Sequence, residues 1–411
     1  MATVCLVGTL DTKHAEYAWL REQLLGAGVD VIVVDTGIAP NPDADLPVGV
    51  TAEAVALAGG AELAALRESQ DRGRAVTTMG AGAAVAVREL FDAGKIDGVL
   101  AVGGSGGSSI AARVMQSLPV GVPKLLVSTM ASGDVRPYVG ETDVTLMYSV
   151  VDVAGINAVS RAVLGNAACA AAAMSTRYAT ERATARAGTP VVAITMFGVT
   201  TPAADEARAE LADLGYEVLV FHATGSGGRA MENLIDSGLI TGVLDLTTTE
   251  LADELVGGVL TAGPHRLEAA GRAGVPQVVS VGALDMVNFG PMDTVPEQFA
   301  GRTLLVHNPT VTLMRTTPEE NARLGSLLGA KLRDARGAVT VFLPLNGVSA
   351  VDVEGGPFHD PDADAALFEH LTSALDGSGV AVVRHEQAIN DPGFGATAAR
   401  ELDRMIRSER G

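Results

Sequence analysis

The stretch VLAVGGSGGSSIA, residues 99–111, decides the fold of this chain. A short apolar run leads into a turn with four glycines, and the start of a helix follows. This is the local order of a buried parallel strand with an anion-binding turn. The turn lacks the Gly-Lys-Ser/Thr end of a P-loop and the G-x-G-x-x-G spacing of a dinucleotide fingerprint. An ordinary strand-to-helix turn is the alternative, although one glycine would suffice for it.

The same order occurs at the start of the chain. TVCLVG (residues 3–8) reads as a strand, HAEYAWLREQLLGAG (14–28) as a helix that ends at glycines, and VDVIVVDTG (29–37) as a second buried strand. A strand–helix–strand unit of this kind predicts a parallel sheet.

The second half of the chain repeats this organisation. Strand, turn, helix and strand follow one another from Thr189, and Gly94 and Gly98 have counterparts in Gly238 and Gly242, each 144 residues later. Any two doubly wound domains share this element order, but the matched glycines favour an internal duplication.

The duplication sets the predicted fold class and domain division. We predict an α/β chain with two Rossmann-like parallel-sheet subdomains, residues 1–185 and 186–411, that face each other across a cleft. The first half carries about forty additional residues between Asp35 and Met79. Ligands of such sheets bind at the carboxyl ends of the strands, so we expect the chemistry there.

Composition narrows the classes of function. The formal net charge is −20, so nucleic-acid binding as the main task is not expected, because affinity for a phosphate backbone comes from Lys and Arg. Cys5 and Cys169 stand outside any CxxC pair, which argues against a disulfide framework and a structural zinc site. No apolar run approaches ~20 residues and no basic segment precedes an apolar stretch at the start. We therefore expect a soluble, cytoplasmic protein without membrane association.

Three turns of the first half are candidates for phosphate binding. GTLDTK (8–13) follows the first strand and offers a lysine at a helix N-terminus. The glycine turn GGSGGS (103–108) exposes backbone N–H groups. A long polar loop follows the strand KLLVS (124–128). An ordinary N-cap and a structural crossover with Asp–Arg pairing are the alternatives. The candidate cofactor-binding residues are Gly8, Thr9, Asp11, Thr12, Lys13, Gly103, Gly104, Ser105, Gly106, Gly107, Ser128, Thr129 and Arg136.

Polar strand ends in the second half suggest side-chain chemistry. His222 and His307 are candidates for acid/base roles, and Arg315 is a candidate for binding an anionic group. Glu250 is a candidate base. The alternative for Glu250 is that it lies at a helix start because the helix dipole favours acidic residues there. Gly225, Gly227 and Gly228 form a second glycine turn that resembles an anion cradle. No metal-ligand set is assigned.

Several of these motifs together resemble a known family. GTLDTK, VGGSGGS, STMASGDVRPYVGETDV, FHATGSGGRAMENLI, DLTTTELADELVGG and HNPTVTLMRTT occur in the order found in the ATP-binding domain family typified by the tomato mosaic virus resistance protein. The resemblance runs from about Val4 to about Leu371. One departure is His14, which follows DTK where the family usually has glycine, so the shape of that turn is open.

The resemblance implies two Rossmann-like subdomains, binding of ATP with Mg²⁺, and a homo-oligomer, with GTLDTK and GGSGGS holding the phosphates. Plant members also carry a barrel similar to phosphoenolpyruvate hydrolase, so a separate partner protein of that kind is expected here. The leading hypothesis is a nucleotide-binding protein that could also act as an enzyme on a small anionic metabolite in the cleft. A hydrolase or lyase for a small carboxylate or phosphate with ATP incidental, and a non-catalytic regulatory binding module, are the alternatives.

Overall fold

The α/β architecture predicted from the sequence is confirmed. The computed structural model describes residues 1–40, 46–184 and 188–410. The chain forms two compact units, Met1–Arg186 and Ala187–Gly411, each built on a parallel sheet. The predicted boundary between residues 185 and 186 lies outside the described residues.

The first unit contains a five-stranded parallel sheet in the order β2-β1-β3-β4-β5. Its strands read as unbroken apolar runs because helices cover both faces. On the central strands, Leu6 and Leu100 pack toward one face, while Cys5 and Val99 pack toward the other. The strands are β1 (Thr3–Gly8), β2 (Asp30–Asp35), β3 (Gly98–Gly103), β4 (Lys124–Ser128) and β5 (Thr145–Tyr148).

The helices of the first unit include two short ones, α2 and α3, within the segment that the second half lacks. Thr51 and Asp71 cap the N-termini of α2 and α4 by accepting hydrogen bonds from the backbone N–H groups of Ala54 and Arg74. The helices are α1 (Leu10–Gly26), α2 (Ala52–Ala58), α3 (Leu63–Ser69), α4 (Arg72–Asp92), α5 (Ser105–Gln116), α6 (Arg136–Val139) and α7 (Ala158–Thr184).

The second unit contains a six-stranded sheet in the order β7-β6-β8-β9-β13-β14, with parallel pairing throughout, and a small antiparallel sheet in the order β10-β12-β11. The strands are β6 (Val191–Met196), β7 (Glu217–His222), β8 (Gly242–Thr247), β9 (Gln277–Gly282), β10 (Met286–Phe289), β11 (Leu304–Asn308), β12 (Val311–Arg315), β13 (Val339–Pro344) and β14 (Ala381–His385).

Helices again cover both faces of this sheet, and two 3₁₀ turns, Met292–Thr294 and Glu297–Phe299, precede β11. The longer helix after β12 begins with a capping box in which Thr317 and Glu320 satisfy each other's backbone N–H groups. The helices are α8 (Thr201–Asp213), α9 (Ser226–Asp236), α10 (Glu250–Val256), α11 (Ala269–Ala273), α12 (Pro318–Arg333), α13 (Pro361–Leu375) and α14 (Phe394–Arg410).

The two sheets share one topological feature that positions a ligand site. The strand order reverses between β1 and β3 in the first unit, and between β6 and β8 in the second. Loops on the two sides of such a point diverge and leave a crevice at the carboxyl edge of the sheet. Gly94 and Gly238 follow the helices that precede β3 and β8, and they have similar left-handed φ values of 68° and 71°.

Among the described residues, no helix combines the length and the apolar character needed to cross a membrane.

Candidate functional site

A cavity of about 560 Å³ opens at the carboxyl edge of the first sheet, where the strand order reverses. The turns after β1 and β3 form one side, and α3 and the first turns of α4 form the other. The lining residues are Thr9, Asp11, Thr12, Lys13, Thr36, Ile38, Leu66, Arg67, Gln70, Asp71, Arg72, Ala75, Val76, Met79, Gly104, Ser105, Gly106, Gly107 and Ile110.

The turn after β1 is tied to the chain that follows β2. Asp11 Oδ2 accepts hydrogen bonds from the backbone N–H groups of Ile38 (3.0 Å) and Ala39 (2.9 Å). Lys13 departs from helical geometry inside α1, with φ −133° and ψ 31°, and its amine donates to the carbonyl oxygen of Val153. The predicted GTLDTK turn therefore places a cation on the cavity wall.

The glycine turn after β3 supplies the second part of that wall. Helix α5 begins at Ser105, and its N-cap residue, Gly104, provides no side-chain hydrogen bond. The first N–H groups of a helix have no partner inside the helix, so those of Ser105, Gly106 and Gly107 are available where these residues line the cavity. The guanidinium of Arg72 lies nearby, with Nη2 3.6 Å from the position that a Cβ on Gly106 would take.

The inserted segment supplies the opposite wall, which was not predicted. Leu66 on α3 and Ala75, Val76 and Met79 on α4 give it an apolar surface, continued by Ile110 from α5. These residues resemble ordinary core positions in the sequence. The available signal was the location of the insertion, because about forty residues were added directly after a strand end where ligands bind.

Gly8 has a packing role that the sequence did not reveal. A Cβ on Gly8 would lie 1.9 Å from Cζ of Tyr17. The Tyr17 hydroxyl donates toward the carbonyl oxygens of Val7 (2.6 Å) and Val102 (2.9 Å) and accepts from Val102 N–H (2.9 Å). Tyr17 thereby joins the ends of β1 and β3 beneath the cavity, and Gly8 provides the room for its ring.

Ser128, Thr129 and Arg136 do not line the cavity. Ser128 is buried, and its hydroxyl pairs with that of Ser108 at 2.6 Å. Thr129 lies next to the glycine turn, with Oγ1 3.8 Å from a Cβ position on Gly104. Arg136 is 89% exposed and is paired with Asp134 at 2.6 Å.

In the second unit, an internal carboxylate occupies the glycine turn before α9. Glu250 Oε1 accepts hydrogen bonds from the backbone N–H groups of Gly225 (2.7 Å) and Gly228 (3.1 Å). Its Oε2 accepts from Nε of the fully buried Arg266 at 2.6 Å. A Cβ on Gly228 would stand 2.2 Å from Oε2, so glycine is required for this approach. The turn does hold an anion, and that anion is the protein's own side chain.

Arg266 links this carboxylate to a second one. Its Nη1 and Nη2 donate to Asp245 at 2.5 and 2.7 Å. Burial alone would lower the pKa of Arg266, but the two carboxylates raise that pKa well above its ordinary value. Thr200 and Thr247 are both buried, and their hydroxyls pair at 2.7 Å.

His222 and His307 are both exposed near the turn after β6. The His222 ring lies edge-on to Phe197, with 6.4 Å between ring centroids. His307 Nε2 stands 3.9 Å from a Cβ position on Gly198. The structure therefore places His222 beside Phe197 and His307 beside Gly198, two consecutive residues of the turn after β6.

Arg315 lies in a buried acidic network. It donates to the Phe358 carbonyl oxygen at 2.8 Å, to Asp364 at 2.8 Å and to Asp352 at 3.3 Å. Burial raises the pKa of Asp352 and Asp364, and neighbouring carboxylates raise that of Asp352 further. The guanidinium is thus engaged by the protein, as is the carboxylate of Glu250.

Asp253 has a further perturbed carboxyl group, on α10. Burial raises the pKa of Asp253 to about 7, although hydrogen bonds from Asn288 oppose the rise. These come from the backbone N–H of Asn288 at 3.0 Å and its side-chain amide at 2.7 Å.

Comparisons with known proteins identify relatives along the whole chain. The sequence matches the Uncharacterised protein family (UPF0261) N-terminal domain over residues 2–180 and C-terminal domain over residues 189–406. A UPF0261 protein of Clostridium tetani is 49% identical over 403 residues, which is 98% of each chain. The ToMV susceptible protein tm-1(GCR26) of Solanum lycopersicum is 39% identical over 407 residues, covering 95% of this chain and 54% of the tomato protein.

Among solved structures, a Streptomyces glycosyltransferase, SsfS6, complexed with thymidine diphosphate, covers 99% of this chain and 96% of its own at 14% identity. Its TM-score of 0.20 is too low to bear on fold or function.

Proposed function

We propose that this chain, which belongs to the uncharacterised protein family UPF0261, is a nucleotide-binding protein that holds ATP in the cavity of its first unit. The observation that carries the proposal is the meeting of two turns, GTLDTK and GGSGG, at the point where the strand order reverses. Doubly wound sheets bind nucleotides at such points. The family resemblance supports ATP as the nucleotide.

The cavity fits the chemistry of a nucleotide. Its volume lies in the ~300–1,000 Å³ range of small-molecule pockets. The phosphates would lie against the first N–H groups of α5, with Lys13, Arg67 and Arg72 as the nearby cations. The base would pack on the apolar surface of α3 and α4.

Magnesium would enter with the phosphates. A protein commonly holds Mg²⁺ through one or two carboxylates while phosphate oxygens and water complete the coordination. Asp11 and Asp71 line the cavity and would serve: Asp11 Oδ1 has no hydrogen-bond partner among the described residues, and Asp71 also caps α4. The ion would neutralise phosphate charge in a protein that is itself strongly acidic.

Catalysis is the second candidate function, and the two histidines favour it. His222 and His307 are exposed beside one turn at the carboxyl edge of the second sheet, where either could exchange a proton with a small anionic substrate. Glu250 and Arg315 would instead stabilise the fold, because the protein engages both. A regulatory protein without catalysis would need neither histidine.

The tomato relatives support one proposal about partners. The match covers 54% of tm-1(GCR26), and on the family resemblance a separate protein similar to the barrel of the plant members is the proposed partner. Homo-oligomer formation and a cytoplasmic location are proposals on the same resemblance.

Titration calorimetry with ATP and Mg²⁺ tests the nucleotide site. Arg72→Ala should weaken binding between about tenfold and about 150-fold, because a hydrogen bond to a charged group contributes ~1.5–3 kcal/mol. Gly104→Val should weaken it further by placing a branched side chain on the cavity wall. The matched control is Arg74→Ala, an exposed arginine of the same helical turn that does not line the cavity.

If the wild type and all three variants bind ATP with equal affinity, ATP does not bind in this cavity. For the catalytic candidate, an ATP-dependent turnover unchanged in a His222→Gln, His307→Gln double variant would exclude the histidines.

A further inference from the structure

We propose that the cavity selects ligands that carry a hydroxyl group, and that the Thr36 hydroxyl forms a hydrogen bond with a ribose hydroxyl of the bound nucleotide. This inference rests on the proposed function and adds the ligand class: ribonucleotides in preference to deoxyribonucleotides. It starts from a buried polar atom that has no hydrogen-bond partner among the described residues.

Thr36 follows β2 directly and is only 2% exposed. Its backbone N–H donates to the Gly8 carbonyl oxygen at 2.9 Å, so the main chain is fixed. Its hydroxyl, in contrast, has no hydrogen-bond partner within the described part of the chain, although the residue lines the cavity. A buried hydroxyl without a partner is costly, and a ligand that pairs with it recovers that cost.

The neighbouring acid, Asp35, is not among the residues that line the cavity. Asp35 Oδ1 accepts hydrogen bonds from the N–H groups of Gly37 (2.8 Å) and Leu10 (3.2 Å), so it holds the strand end to the start of α1. The Thr36 hydroxyl can both donate and accept, and rotation about χ1 exchanges the positions of its methyl and hydroxyl groups. A ligand hydroxyl is a natural partner for it.

The location within the sheet matches the sugar better than the phosphates or the base. Thr36 follows β2, whereas the glycine turn follows β3, and β1 lies between them. Two strand spacings separate these ends by about 10 Å. The phosphates belong at the glycine turn and the base at the apolar surface of α3 and α4. Thr36 is therefore separated from the glycine turn. It lies two residues before Ile38, which lines the cavity together with the apolar residues of α3 and α4. The sugar lies between base and phosphates in any nucleotide.

The test compares ATP with 2′-deoxy-ATP and 3′-deoxy-ATP by titration calorimetry, using the full chain and its Thr36→Val variant. The wild type should bind ATP about threefold to tenfold more tightly than at least one deoxy analogue, as expected for one neutral hydrogen bond. Thr36→Val should bind ATP as weakly as that analogue and should bind the analogue as the wild type does. Thr77→Val, an exposed threonine on α4 outside the cavity lining, is the matched control and should leave all affinities unchanged.

Thermal unfolding without nucleotide gives an independent readout. Because Thr36→Val removes an unpaired hydroxyl and keeps the shape of the side chain, the variant should unfold at the same or a higher temperature than the wild type. A clear fall would mean that the hydroxyl has a structural partner and would overturn the inference. Equal affinities of the wild type for ATP and both deoxy analogues would also overturn it and leave ATP binding intact. Absence of binding by all three nucleotides would overturn the proposed function itself.

Discussion

Replacing Glu250 by glutamine tests whether this residue serves the fold or the chemistry of the second unit. Glutamine keeps one oxygen for the N–H groups of Gly225 and Gly228. Its amide nitrogen would face Nε of Arg266 across the present 2.6 Å, so two donors would oppose each other. Arg266 would retain its two bonds to Asp245 and would not be left as an isolated buried charge.

The expected loss follows from these contacts. A hydrogen bond to a charged group contributes ~1.5–3 kcal/mol, and breaking a buried ion pair costs ~3–5 kcal/mol when one charge stays uncompensated. Since Asp245 still compensates Arg266, we expect the low end of the second range, about 3 kcal/mol. The matched control is Glu254→Gln, one turn later on α10, where the side chain is exposed and the change should stay within ~0.5 kcal/mol.

Urea denaturation followed by far-UV circular dichroism measures both variants against the wild type. If Glu250→Gln and Glu254→Gln unfold at the same urea concentration, the internal-anion role of Glu250 is refuted. A loss of turnover without a loss of stability would instead return Glu250 to the catalytic candidates. A loss of stability alone supports the structural role.

Two further predictions concern other buried groups. The pKa of Asp253 is raised to about 7, so this carboxyl stabilises the folded state in its protonated form, and that contribution is lost as pH rises from about 4 toward 7. Asp253→Asn, a neutral mimic, should therefore gain stability relative to the wild type as pH rises over this interval, by up to ~1.4 kcal/mol per pH unit. Urea denaturation at several pH values measures this difference. A relative loss of stability of the variant with rising pH would contradict the raised pKa of Asp253. Gly8→Ala should destabilise the first unit by ~1–3 kcal/mol, because its Cβ would overlap the ring of Tyr17, whereas Gly26→Ala, with open space around it, should not. Equal melting temperatures of these two glycine variants would exclude the packing role of Gly8.

The elements recognised in the sequence are those whose signal is local. The apolar run 99–103 and its glycine turn specify a strand and a helix start within a dozen residues, and the structure has β3 and α5 there. His222 could likewise be placed at a strand end from its neighbours alone. Such features depend on periodicity and turn chemistry, which a single sequence displays directly.

The features that escaped prediction depend on contacts between distant residues. Leu66 and Met79 are core residues of the first unit, and only the folded structure shows that they also border a cavity. Arg266 was not singled out, because nothing around it in the sequence indicates that it will be fully buried between Asp245 and Glu250. Glu250 could be read equally as a base or as part of a helix start, since the choice depends on Gly225 and Gly228, more than twenty residues earlier.

The duplication connects the two glycine turns in one argument. Gly106 and Glu250 are 144 residues apart, the offset of the matched glycines, and both stand at the start of the helix after the third strand of their unit. In the second unit this position carries a carboxylate, held by two backbone N–H groups and Arg266.

In the first unit the same position has no side chain. The adjoining N–H groups of α5 line a cavity. Nη2 of Arg72 lies 3.6 Å from the position that a Cβ on Gly106 would take. Nitrogen donors and a guanidinium are thus present in both units, and in the second unit a carboxylate of the chain, that of Glu250, accepts hydrogen bonds from them. Because such groups favour an anion, we expect a ligand phosphate to take the corresponding place in the first unit. This asymmetry supports ATP in the first unit and a structural role for the glycine turn of the second.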